Sequence, residues 1–152
     1  MKSGARVGET HIIVLHYCSQ GHINPMLQFS RRLASKGLKV TLVIPRASIY
    51  NAQASSINIE IICEGLEERK EEESIEDYVE RFRMVASQSL AELIKKHSRS
   101  SHPAKFLVYD SMMPWAQDVA EPLGLDGVPF FTQSCAVSTI YYHFNQGKLK
   151  TP

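Results

Sequence analysis

Along the 152 residues of this chain, apolar positions gather into five short runs, most of them rich in β-branched side chains, at 12–15, 40–44, 57–62, 106–109 and 128–131. An unbroken run, as opposed to an alternating one, suits a strand covered on both faces. Between the first two runs the pattern changes to helical period. Met26, Leu27, Phe29 and Leu33 form a stripe, with Asn24 placed as N-cap, Pro25 at the first helical position and Gly37 just past the end. A longer helix is predicted from Ser74, which has capping-box spacing to Asp77 and leads into Ile75, Val79, Phe82, Val85, Ala86, Leu90, Leu93 and Ile94. A third begins at Pro114, runs through Ala116, Val119, Ala120 and Leu123, and is stopped by Gly124. Residues 138–147 are helix-like, and 148–152 follow without a closing element, so the chain reads as cut short. Residues 64–73 and 98–103 are polar and read as surface loops.

Strands alternating with helices imply right-handed crossovers and an α/β fold built on a doubly wound parallel sheet. In such a sheet, ligands collect beyond the carboxyl ends of the strands, where the strand order reverses. The residues just after each predicted strand therefore carry the most information about chemistry.

Composition narrows the field. With 43% hydrophobic and 22% charged residues, the chain has material for one buried core. A formal charge of +1, spread through the sequence, gives no footprint for a nucleic acid partner. Residues 1–10 form a short polar tail, and the first apolar run is too brief for a secretory core or a membrane span, so a cytoplasmic location is expected. Cys18, Cys63 and Cys135 are far apart and not at metal-ligand spacing; free thiols are expected.

After the first strand, the segment 17–25 delivers His22 to a loop just before a helix. After the fourth strand comes Asp110, and after the fifth Thr132, Gln133 and Ser134. With strand order 3-2-1-4-5, His22 and Asp110 share one crevice. A histidine whose one ring nitrogen donates to a carboxylate has a fixed tautomer and a second nitrogen free to take a proton from an alcohol or phenol as it attacks. The competing reading is plainer: such a histidine often contacts only backbone, and such an aspartate often only caps a turn. Other chemistries lack their parts. Gly21 stands alone in the first loop, without a phosphate-binding glycine pattern. Ser134 and Cys135 have no evident second histidine to activate them, and His11 and His16 are expected to be core residues, not metal ligands.

Three stretches together resemble plant family 1 glycosyltransferases: 11–15 (HIIVL) with 19–28 (SQGHINPMLQ) and 32–37 (RLASKG); 106–116 (FLVYDSMMPWA); and 129–136 (PFFTQSCA). They span nearly the whole chain, in the family's order, and are most similar to the branch acting on small acids, terpenoids and steroids. The resemblance implies a GT-B enzyme of two facing Rossmann-like domains, with residues 11–152 an incomplete N-terminal acceptor-binding domain. It implies inverting transfer from a UDP-sugar, with UDP-glucose the expected donor, to a small lipophilic acceptor, with no metal and no cofactor beyond that co-substrate. By the same resemblance His22 is the base, Asp110 its orienting partner, Thr132 and Gly21 are donor-proximal, and Ser19 lines the acceptor side. Further acceptor candidates are Tyr17, Met84, Met112, Trp115, Phe130, Gln133 and Tyr142, an apolar set suited to a small-molecule site.

Two departures stand out. The segment His16-Tyr17-Cys18 replaces a commoner proline-containing one, which bears on acceptor shape. The family's donor-binding signature has no counterpart here, so the C-terminal domain is expected to come from elsewhere and this stretch alone to be inactive. The alternative function is a non-catalytic Rossmann-like module that binds a small molecule.

Overall fold

The computed structural model describes residues 10–17, 19–45, 57–63 and 74–149. In chain order the elements are β1 (His11–Leu15), α1 (Gln20–Ser35), β2 (Lys39–Pro45), β3 (Asn58–Ile62), α2 (Ile75–Ser98), β4 (Ala104–Asp110), α3 (Trp115–Ala120), a 3₁₀ turn (Glu121–Leu123), β5 (Asp126–Phe130) and α4 (Cys135–Asn145). All pairings are parallel, as the sequence predicts, and the strand order is β3-β2-β1-β4-β5, the one under which His22 and Asp110 are expected to share a crevice. The order reverses between β1 and β4, which places a crevice at their carboxyl ends.

Because side chains alternate along a strand, each strand serves two cores. Ile12, Val14, Leu42, Ile44 and Val108 pack with Met26 and Leu27 of α1. Ile13, Leu15, Val43, Leu107 and Tyr109 pack on the other face with Leu90 and Ile94 of α2 and Ala116 of α3. Each fully buried aliphatic side chain is worth about 1.5–3 kcal/mol of transfer free energy.

Four expectations are corrected. Helix α1 does not begin after Asn24: Ser19 takes the extended N-cap conformation, and Asn24 and Pro25 lie inside the helix. His22 is therefore in the first turn of a helix and not in a loop before it. Pro25, lacking an N–H, cannot serve the Gly21 carbonyl four residues back, but Gly21 is exposed to solvent, which limits the cost. Second, the apolar stripe of α2 is not buried throughout: Ile75 and Val79 are exposed, and the buried apolar residues are Ala86, Leu90, Leu93 and Ile94. Third, the edge strands β3 and β5 are half exposed instead of covered on both faces. Fourth, the last helix begins at Cys135, three residues before the predicted 138. Residues 64–73, Cys18 and the polar tail lie outside the described residues, apart from Thr10.

The predicted stops hold. Gly37 and Gly124 take φ of 82° and 78°, the left-handed region where a Cβ is disfavoured, at the ends of α1 and of the 3₁₀ turn. The Ser74 hydroxyl accepts the Asp77 N–H at 3.1 Å and caps α2.

Candidate active site

Three elements converge at the reversal point. The first turn of α1 carries His22, whose N–H bonds to the Ser19 carbonyl at 2.9 Å. Asp110 is the last residue of β4, and Thr132 follows β5 by two residues. The His22 Nδ1–H donates to Asp110 Oδ2 at 2.7 Å, and Thr132 Oγ1 lies 2.8 Å from the same nitrogen, so one proton is shared between two acceptors. Asp110 is fully buried, and its other oxygen accepts the Met112 N–H at 3.0 Å. Both carboxyl oxygens are thus committed, which holds the group rigidly against the ring. The arrangement fixes the proton of a neutral His22 on Nδ1 and leaves the Nε2 lone pair available, on a side chain 23% exposed.

A second histidine lies in the same layer. His16, one residue past β1, is 1% exposed and donates Nδ1–H to the Tyr17 carbonyl at 2.8 Å. Among the described residues its Nε2 has no hydrogen-bond partner. Burial lowers its pKa below 6.5, more than the Tyr17 carbonyl and Asp110 raise it, and His22 lowers it further. Tyr17 in turn sets its ring edge-to-face on His22, with centroids 5.4 Å apart.

Tyr17 also forms part of a cavity of about 270 Å³, together with Met112 and Trp115 and, across from them, Tyr78, Val79, Phe82 and Arg83 of α2. That volume is near the lower end for small-molecule sites, roughly 300–1,000 Å³. Phe82 and Trp115 meet edge-to-face at 6.2 Å. The sequence reading omitted Tyr78 and Arg83; their i, i+1, i+4, i+5 spacing with Val79 and Phe82 is the signal that finds them. Met84 is 56% exposed and is not part of this wall. Gln133 and Tyr142 line a separate, more open cavity of about 420 Å³ under α4.

The remaining candidates divide. Ser19 is the N-cap of α1 but makes no side-chain capping bond. At Gly21, a Cβ would meet no heavy atom within 4 Å, so nothing in the described residues requires glycine there. Phe130 packs on Phe29 at 4.9 Å and belongs to the α1-side core. Ser134 caps α4 by accepting the Val137 N–H, which accounts for it without nucleophilic chemistry. His11 is buried, donating Nδ1–H to the His102 carbonyl and accepting from the Thr41 hydroxyl. Among the described residues, no group of three His, Cys, Asp or Glu is placed to hold a metal ion, and no helix is long and apolar enough to cross a membrane.

No protein-family model matches the chain. It is 45% identical over 150 residues to mogroside I-E synthase of Siraitia grosvenorii, which covers 95% of this chain and 33% of that protein. It is 43% identical over 147 residues to UDP-glycosyltransferase 74E1 of Arabidopsis thaliana, covering 94% and 32%. Among solved structures, Os79 of O. sativa in complex with UDP superimposes with a TM-score of 0.81 at 33% identity, covering 93% of this chain and 33% of that one. The chain thus spans about a third of the length of these proteins.

Proposed function

On the premise that this chain belongs with the plant UDP-glycosyltransferases, over the third of their length that it covers, we propose that it is the acceptor-binding and catalytic-base portion of a UDP-sugar-dependent glycosyltransferase. The acceptor is a small lipophilic metabolite bearing a hydroxyl or carboxyl group. The observation that carries the reading is the 2.7 Å bond from His22 to a fully buried Asp110, which leaves Nε2 as the proton-accepting nitrogen.

In this reading the acceptor lies against Tyr17, Phe82, Met112 and Trp115 with its nucleophilic oxygen at His22 Nε2. The imidazole takes the acceptor's proton as that oxygen bonds to the anomeric carbon of the sugar. The bond from that carbon to the UDP oxygen breaks, UDP leaves with the electron pair, and the configuration inverts. Asp110 stabilises the imidazolium, and its fixed position prevents the wrong tautomer. General-base assistance of this kind is worth about 10²–10⁴ in rate. The open side of Gly21 allows the donor to approach the first turn of α1, and Thr132 is near enough to His22 to meet the sugar. Residues beyond this stretch, in a facing C-terminal domain, hold most of the nucleotide, so the stretch alone turns over no substrate.

The names of similar proteins support the chemistry. The maize relative is an indole-3-acetate β-glucosyltransferase, and Os79 has been solved with U2F and a trichothecene. The test is to incubate the full-length enzyme with UDP-glucose and a panel of steroid, terpenoid, phenolic and carboxylic acceptors, following products by mass. A glycosylated product that disappears in a His22→Ala variant supports the reading. Activity retained in that variant points instead to a binding module without a catalytic role for the crevice.

A further inference from the structure

We propose that His16 is a positioning residue, whose imidazole sets the turn between β1 and α1 and thereby holds Tyr17 as the wall shared by the acceptor cavity and the base. The inference rests on the transferase reading above.

The turn redirects the chain from the sheet to a helix within the four residues between Leu15 and Gln20. Ser19 is placed to cap α1, yet its hydroxyl makes no capping bond. His16 remains tied to the sheet through its N–H, which reaches the Val43 carbonyl at 3.5 Å, while its side chain folds under the turn and donates to the carbonyl of the next residue. A backbone carbonyl only accepts, so the proton of His16 is on Nδ1. Fixing the Tyr17 carbonyl restricts the backbone torsion next to the Cα that carries the Tyr17 ring, and so narrows the positions that ring can take. That ring packs edge-on against His22 and lines the cavity of about 270 Å³. One side-chain bond thus braces the residue whose ring serves both as part of the acceptor's contact surface and as a neighbour of the base.

Among the described residues His16 Nε2 has no hydrogen-bond partner, so the Nδ1–H to the Tyr17 carbonyl is the contact through which the imidazole acts on the turn. Charge is not required: burial keeps the ring neutral near pH 7, and the titratable groups acting on it are Asp110 and His22.

The two histidine nitrogens are separable by substitution, since an asparagine amide stands about where Nδ1 does and a glutamine amide about where Nε2 does. In the complete enzyme, with UDP-glucose and 2-naphthol as acceptor, His16→Leu is expected to raise the acceptor KM roughly five- to tenfold, the worth of one hydrogen bond. The KM for UDP-glucose and the pH profile of kcat remain unchanged. His16→Asn is expected to restore the acceptor KM to within about twofold, and His16→Gln to resemble His16→Leu. Equal impairment of the Asn and Gln variants, or an unchanged KM in all three, overturns the proposal. Should His16→Leu fail to fold, the Asn–Gln comparison decides alone. A wild-type enzyme without transferase activity would defeat the transferase reading itself; an active wild type with a flat His16 series defeats only this inference.

Discussion

His22 and Asp110, 88 residues apart in the chain, meet at 2.7 Å with Asp110 fully buried and His22 in the first helical turn above it. The carboxylate can only accept from His22 Nδ1, whereas an asparagine amide can also donate to it. Asp110→Asn is therefore expected to permit the tautomer with its proton on Nε2, where no acceptor proton can be taken. The complete enzyme should lose about 10²–10⁴ in kcat with little change in acceptor KM, measured by initial rates at saturating UDP-glucose.

Thr132 shares the same Nδ1–H at 2.8 Å, but a neutral hydroxyl is the weaker acceptor. Thr132→Val should cost roughly fivefold in kcat through His22, the net worth of an ordinary hydrogen bond. A loss as large as that of Asp110→Asn would mean that Thr132 acts on the reacting sugar in its own right.

Much of this arrangement was legible in the sequence because parallel strands, above all the buried central ones, leave largely apolar runs. Those runs and right-handed crossovers point to a parallel doubly wound sheet; the order that makes the β1 and β4 ends neighbours was supposed, and the structure supplies it. What was misjudged has local causes. Asn24 and Pro25 form a strong helix-start signal, yet the extended conformation of Ser19 lets α1 begin more than a turn earlier. Met84 was expected at the acceptor and is exposed, while Arg83 beside it lines the cavity. One residue turns a helix by about 100°, so an error of one position changes the face. The exposure of Ile75 and Val79 was likewise hidden, since periodicity marks a face without saying how far the sheet extends beneath it.

Buried histidines make stability depend on pH. His11, His16 and His97 all have pKa values below the ordinary 6.5, with burial the largest cause in each. The His11 and His97 rings also meet edge-on at 5.0 Å, so a proton on one opposes a proton on the other. The unfolded chain then binds more protons than the folded one below its own pKa. The stabilisation is complete above about pH 6.5 and is lost as pH falls toward the folded values. Urea midpoints should be lower at pH 5 than at pH 7.5; an equal or higher midpoint at pH 5 contradicts this.

Packing and chemistry should separate cleanly. Leu90 of α2 is fully buried in the core on the α2 face of the sheet and lines none of the cavities described above. Leu90→Ala should cost about 2–5 kcal/mol in urea unfolding, while kcat per folded molecule stays within about twofold.

The central claim is that the imidazole of His22 and the carboxylate of Asp110 act as one base. Its most direct test is a double-mutant cycle on kcat/KM for glucosyl transfer by the complete enzyme, with His22→Ala, Asp110→Asn and the pair combined. Residues that act as a unit are strongly non-additive, so the double variant should be about as impaired as His22→Ala alone. Losses that multiply, or a His22→Ala enzyme that keeps its rate, would contradict it.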